Sequence, residues 1–355
     1  MKTRLYFITQ KIACFGLYCY YREVQLHGME KVPRNKPVMF LANHQNALLD
    51  PLVIASFTPF RSFFLTRSDV FTNRLFNQIF GFLRMLPIYR LRDGRDTLGK
   101  NEAIFKQCTQ LLQNGEAILL FPEANHNIMR RVRPLSKGFT RILFAAFEED
   151  PEIDIQLIPV GINYEKAEAF PDRVAFYFGD PISSRSLYNK DDPMGSVSVI
   201  KNSVFEALKV LTTHIDDINA YNELQRYLDE VEIDYLKPGE VNEALHKFQK
   251  GAELSRKTHK RKKQRGWSFL FELMNWPMLL LWRKLFKPRI TEIEFLSTFR
   301  FAFAFLVQPL FYLALWWLCT VLIDPLAATA IVLGHFLFNL AYVKFGRSLS
   351  TPFHG

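Results

Sequence analysis

PVMFLANHQNALLDP, residues Pro37–Pro51, decides how the rest of the chain is read. Pro37–Ala42 is an apolar run of strand length. The polar turn Asn43-His44-Gln45-Asn46 then leads into Ala47–Ser56, which has helical spacing. A reactive side chain just past a strand, at the entry to a helix, is where open α/β sheets place their chemistry. Residues six apart on a continuous helix differ by roughly 240° of rotation. His44 and Asp50 therefore meet only if His44 lies in the loop and Asp50 sits on the first helical turn, reaching back. So placed, the carboxylate fixes the imidazole tautomer and makes the other ring nitrogen a base for a hydroxyl proton. The same residues read equally well as a helix start capped by Asn43 or Asn46, with His44 incidental.

Outward from this stretch, strand and helix patterns alternate through residues 22–236. Strand-like runs are Ser62–Thr66, Leu86–Tyr89, Ala117–Phe121, Ile155–Tyr164 and Arg173–Phe178. Helical spacing covers Val70–Leu83, Leu98–Asn114 and Gly138–Glu149. Near-continuous apolar strands separated by helices imply an α/β fold with a mostly parallel sheet covered on both faces. Val197–Leu236 reads as helix, broken by Pro238-Gly239.

The two ends of the chain differ in kind. Phe301–Ile323 is 23 residues without a charge, about 35 Å as a helix. Pro325–Val343 carries no charge beyond a protonated His335, and only Asp324 intervenes. These lengths predict a transmembrane hairpin over residues 291–347, with spans 301–323 and 325–343. Arg283, Lys284, Lys287, Arg289 and Arg300 precede it and Lys344 and Arg347 follow, so both outer ends face the cytoplasm by the positive-inside rule. Tyr312, Trp316 and Trp317 are expected in an aromatic belt on the far side. Residues 266–290, apolar but holding Glu272 and Pro277, predict an interfacial or re-entrant helix. Residues 1–21 suit a helix on the membrane surface and lack the cleavage pattern of a signal peptide.

Charge sharpens this division. The chain of 355 residues carries 45 Lys+Arg against 35 Asp+Glu, a net charge of +10. Arg256–Arg265, RKTHKRKKQR, supplies seven basic residues and no acid within the linker 237–265. The run adjoins Trp267 and the apolar hairpin, which favours anionic lipid over nucleic acid as its partner. Four cysteines at scattered positions fit reduced thiols rather than a disulfide scaffold. His126 beside Glu123 raises a metal site shared with His44, but no Cys or His cluster supports one and no metal is expected.

Four blocks in order resemble the glycerolipid acyltransferase superfamily, over roughly residues 25–200. They are Asn43-His44 through Asp50, Leu86-Pro87-Ile88-Tyr89-Arg90, Phe121-Pro122-Glu123 followed by Lys137-Gly138, and Ile158-Pro159-Val160-Gly161. The resemblance implies acyl transfer from acyl-CoA or acyl carrier protein to a hydroxyl of glycerol 3-phosphate or a lysophospholipid, with no resident cofactor. His44 would be the general base, Asp50 its orienting carboxylate, and Arg90, Glu123 and Lys137 acceptor-binding residues. Five residues separate His44 from Asp50, where four is the commoner spacing. Ala124 stands where the family normally has glycine, and Ala resists a positive φ. The family's Arg after that position is missing, and Arg130, Arg131 and Arg133 are candidate replacements at a phosphate. The altered loop leaves a second expectation, a catalytically degenerate membrane scaffold on the same fold.

Overall fold

The computed structural model describes residues 2–71, 73–89, 99–251 and 265–346. Arg90 and most of the basic run lie outside the described residues. In chain order the elements are α1 (Lys2–Tyr20), β1 (Glu23–His27), β2 (Val38–Ala42), α2 (Leu49–Phe57), β3 (Phe63–Arg67), α3 (Arg74–Phe82) and β4 (Met85–Ile88). Then come α4 (Lys100–Gln113), β5 (Ile118–Leu120), α5 (Gly138–Glu149), β6 (Gln156–Tyr164), β7 (Arg173–Phe178) and β8 (Ile182–Ser183). Helices α6 (Pro193–Leu211), α7 (Tyr221–Glu230), α8 (Pro238–Gln249), α9 (Arg265–Met274), α10 (Trp276–Leu281), α11 (Leu296–Leu322) and α12 (Pro325–Phe345) complete the chain.

One sheet runs β1-β7-β6-β2-β5-β3-β4, with β8 added on β6. Its middle is parallel: β6, β2, β5, β3 and β4 all point the same way. Only the β6–β7 and β6–β8 pairings are antiparallel. Alternation along β2 explains why it occupies the centre. Val38, Phe40 and Ala42 join the core beneath α1 and α2, while Met39 and Leu41 join the core beneath α4, α5 and α6. Each such fully buried side chain contributes about 1.5–3 kcal/mol, so a strand apolar on both faces belongs inside. Gly161 of β6 meets a steric demand: a Cβ there would lie 2.1 Å from the Leu211 carbonyl at the end of α6. Strand β1 alternates polar Glu23, Gln25 and His27 with Val24 and Leu26, which pack on the core, and it pairs in parallel with β7.

Two helical expectations need correction. Pro238 and Gly239 do not end a helix but open α8, where a missing N–H at the first turn costs nothing. The helix expected over 197–236 is instead α6 and α7, separated by residues 212–220.

The C-terminal hairpin is longer than the apolar runs alone, beginning at Leu296 and ending at Phe345. Asp324 caps α12 by accepting from Leu326 N–H at 2.8 Å and Ala327 N–H at 2.9 Å. Only 6% and 22% of the two apolar windows are buried, which distinguishes them from core helices of a water-soluble domain. Leu306, Leu310, Leu313, Trp317 and Leu326 all present exposed apolar surface, as helices built to face lipid do. Tyr312 is not in an outer belt: it sits inside the hairpin, its hydroxyl accepting from Asn339 Nδ2 at 3.1 Å.

Segment 266–290 is not one surface helix. α9 descends beside α12, stacking Phe271 on Tyr342 at 4.0 Å, and reaches its tip at Asn275, which donates to Asn339 Oδ1 at 2.7 Å. α10 then returns, placing Trp282 against Phe303 at 5.6 Å. Protein surrounds the irregular tip, where Asn275 is buried.

α1 joins the two parts of the molecule. It holds α2 through Gln10 Nε2 and the Ala55 carbonyl at 2.6 Å, and approaches α11 so closely that a Cβ on Gly16 would lie 2.6 Å from the Phe305 ring. Lys344 Nζ closes its C-terminus, donating to the Tyr18 and Tyr21 carbonyls at 2.8 and 2.9 Å. The Arg22 guanidinium donates to the Gly346 carbonyl.

Candidate active site

Strands β5, β2 and β6 are parallel neighbours, so their carboxyl ends open on one edge of the sheet. β2 leads into Asn43-His44, β5 leads into Phe121-Pro122-Glu123, and β6 ends on Tyr164. Three segments far apart in sequence thus deliver side chains to one place, as parallel sheets do at their carboxyl ends.

Asn43 fixes the start of the loop. Its Nδ2 donates to the Ile162 carbonyl at 3.0 Å and its Oδ1 accepts the Ile162 N–H at 2.7 Å, extending the β2–β6 ladder by a side chain. Asn46 Nδ2 donates to the Ala167 carbonyl at 3.1 Å. Neither asparagine caps α2, whose N-cap, Leu48, offers no side-chain bond. The alternative reading of the stretch therefore falls.

Asp50 organises the loop instead. It is completely buried in the first turn of α2. Its Oδ2 accepts from the Gln45 and Asn46 N–H groups, both at 2.9 Å, and lies 2.8 Å from His44 Nδ1. Its Oδ1 accepts from the Tyr164 hydroxyl at 2.6 Å. Four donors around one carboxylate offset the cost of burying it. A carboxylate partner assigns the proton to His44 Nδ1, leaving Nε2 with the free lone pair of a neutral imidazole. Burial and the Asp50 charge hold the Tyr164 hydroxyl well above its usual range, so it stays a donor. Phe121 stacks beneath the His44 ring at 3.9 Å and 15°, which fixes the ring plane.

Glu123 is 8% exposed, and its partner is Arg133. Oε2 accepts from Arg133 Nη2 at 2.8 Å and Nε at 3.2 Å, and Oε1 from the Arg133 N–H at 3.1 Å. Burial pushes the Glu123 carboxyl above its usual range, and the Arg133 charge, the hydrogen bonds from Arg133 and then His44 offset this only in part. Ala124 does take the left-handed conformation, with φ 64°, so the turn is kept without glycine. Such a φ costs an alanine roughly 1–2 kcal/mol, partly offset by its smaller unfolded-state entropy. Ala124→Gly is expected to raise stability by up to about 1 kcal/mol, read as a higher midpoint of thermal unfolding with unchanged activity.

The three downstream arginines part company. Arg130 is buried, donating to the Tyr164 and Glu165 carbonyls at 2.8 and 2.7 Å and stacking over Tyr235 at 3.5 Å. It braces the end of β6 rather than awaiting a phosphate. Arg131 N–H donates to the Met129 carbonyl at 2.9 Å, and its charge acts on His214. Arg133 alone of the three reaches Glu123. Lys137 is exposed at the N-cap of α5, and Ser136 N–H ties it to the Pro122 carbonyl at 2.7 Å. His126 stands edge-on to His44 at 5.7 Å, with its Nε2 3.0 Å from Glu292 Oε2. His126, Glu292 and Glu294 bring ligand-type atoms within 4.8 Å of one another, a grouping the sequence spacing did not reveal. Tyr164 and Phe121 were also missed. The one available signal for Tyr164 was a phenol at the very end of an otherwise apolar strand.

A family model described as Acyltransferase matches residues 23–163. An uncharacterized acyltransferase of Schizosaccharomyces pombe is 25% identical over 118 residues, 32% of this chain and 18% of that one. Glycerol-3-phosphate O-acyltransferase 1 of Saccharomyces cerevisiae is 21% identical over 119 residues, 32% of this chain and 16% of its own length. The chloroplastic 1-acyl-sn-glycerol-3-phosphate acyltransferase LPAT1 of Arabidopsis thaliana is 24% identical over 157 residues, 44% of this chain and 40% of its own. The matched segment thus spans less than half of each of these relatives. Among solved structures, the 1-acyl-sn-glycerophosphate acyltransferase PlsC of Thermotoga maritima aligns with TM-score 0.37 and 19% identity over 52% of this chain and 71% of that one. The family match spans the segments that carry His44, Glu123 and Gly161, so residues 23–163 carry an acyltransferase-type domain similar to those of glycerolipid acyltransferases.

Proposed function

We propose that the protein is a membrane-bound O-acyltransferase, moving a fatty acyl group from acyl-CoA or acyl carrier protein to a hydroxyl of glycerol 3-phosphate or 1-acylglycerol 3-phosphate. The observation that carries this reading is the 2.8 Å contact between His44 Nδ1 and Asp50 Oδ2, which leaves Nε2 for a substrate at the carboxyl edge of the sheet. The acceptor hydroxyl gives its proton to Nε2 as its oxygen attacks the thioester carbonyl. The C–O bond forms, the C–S bond breaks, and the imidazolium returns the proton to the departing thiolate. Asp50 stabilises the imidazolium without taking its proton. No acyl-enzyme is needed, because a thiolate leaves readily.

Arg133, held by Glu123, together with Lys137 and Arg90, supplies positive charge for the acceptor phosphate. The basic ends of the hairpin favour a cytoplasmic catalytic domain, with the Asp324 turn on the opposite side. The degenerate-scaffold alternative rests on the loop after Glu123, where Ala124 takes the left-handed conformation in place of a glycine. The test is release of free thiol from one fixed long-chain acyl-CoA across a panel of acceptors. Acceptor-dependent release with glycerol 3-phosphate or a lysophosphatidate is expected. Silence with every glycerol-phosphate and lysophospholipid acceptor would overturn the reading.

A further inference from the structure

Away from the His44 cleft, a cavity of about 600 Å³ lies between α1, the α9–α10 segment and the hairpin. Its walls are apolar, built from residues such as Phe15, Met278, Phe301 and Phe305. It follows α11 from Arg300 to Tyr312, about 18 Å at ~1.5 Å per residue and close to the depth of one leaflet. Ile12 and Phe15, which line it, are 53% and 59% exposed, so the cavity opens sideways onto the lipid-facing surface.

Its polar lining is cationic at one end. Arg283, Lys287 and Arg300 all contribute, and no carboxylate does. Arg283 pairs with Glu272 at 3.2 Å on the outside. Arg300 donates through Nη2 to the Glu168 carbonyl at 2.7 Å and its guanidinium interacts with the Tyr20 hydroxyl, while its buried Nη1 makes no close hydrogen bond. Deeper along the same wall, the Gln308 side chain interacts with the Tyr312 hydroxyl, and its buried Nε2 makes no close hydrogen bond. A buried donor left unmet is costly, above all on a charged group. An anionic oxygen at the mouth satisfies Arg300, and a hydrocarbon chain satisfies the walls.

The run of about 18 Å along α11 is the length of one acyl chain within a leaflet. We propose that this cavity is a binding site for an anionic phospholipid of the bilayer. Its phosphate sits at Arg300 and Lys287, one acyl chain runs between α1 and α11, and the second chain lies outside through the lateral opening. Retention of such a lipid holds α1 against the hairpin, on the side of the molecule where Phe295 packs against His126 at 4.6 Å.

Native mass spectrometry of the full chain in neutral detergent tests this with dioleoyl phosphatidylglycerol and dioleoyl phosphatidylcholine at equal concentration. One phosphatidylglycerol adduct is expected, preferred about tenfold or more, given about 1 kcal/mol per basic residue. The double variant K287Q/R300Q is expected to bring the two lipids to near parity. Ala304→Trp, which fills the cavity from α11 and leaves the cations in place, is expected to remove the adduct. Equal retention of both lipids by the wild type, or an adduct that survives both variants unchanged, would overturn the proposal. So would displacement of phosphatidylglycerol by equimolar 1-oleoyl lysophosphatidate, which would assign the cavity to an acceptor instead. The readout is bound mass, so it stands apart from whether thiol is released.

Discussion

His44→Ala is expected to lower acceptor-dependent thiol release by about 10³-fold, within the ~10²–10⁴ range for losing a general base. The proposed mechanism gives the hydroxyl proton to the imidazole, because Asp50 is buried behind it and already accepts four hydrogen bonds. The fold should survive. His44 keeps part of its surface exposed, and the loop backbone is held independently, with Asn127 N–H donating to the His44 carbonyl at 2.9 Å. Unfolding temperature and acyl-CoA binding measured beside the rate separate lost chemistry from lost structure. Activity above a tenth of wild type, in protein that binds donor normally, would remove His44 from the mechanism.

Asp50→Asn is expected to cost about 10²–10³-fold in kcat with little change in KM. The amide oxygen can replace Oδ2 in accepting from Gln45, Asn46 and His44, and the Tyr164 hydroxyl can turn to accept from the amide nitrogen. Geometry is thereby largely kept while the charge that stabilises an imidazolium is lost. Asp50→Ala is a different experiment. It strands two backbone N–H groups and a phenol in the interior, at about 1–3 kcal/mol for each unmet group, so it should unfold the loop as well as slow the reaction. A kcat for Asp50→Asn within threefold of wild type would show that the carboxylate acts as a loop brace alone.

Residues that act through periodicity were legible in advance. β2 and β6 announced themselves as apolar on both faces, α5 ran from Gly138 to Glu149 as its spacing indicated, and the His44–Asp50 separation dictated which residue had to lie off the helix. What stayed hidden depends on partners supplied by distant segments. β1, five residues at the edge of the sheet, alternates too briefly to be read before β7 offers its ladder. Arg130 and Arg133, three positions apart, read alike as basic residues near a candidate phosphate. One is drawn inward by the carbonyls at the end of β6 and the Tyr235 ring, the other by the buried Glu123. Ala124 shows the converse: a local preference against positive φ overridden by the turn around it.

The lysine that closes α1 also sets an order of assembly. Lys344 and Gly346 meet Tyr18, Tyr21 and Arg22 across more than 320 positions of chain. During synthesis α1 emerges long before α12, and its Leu5, Phe7, Ile8 and Ile12 stay exposed even in the finished fold. Closure of so long a loop comes late. Residues 344–346 therefore act as a latch that closes late on residues 18–22.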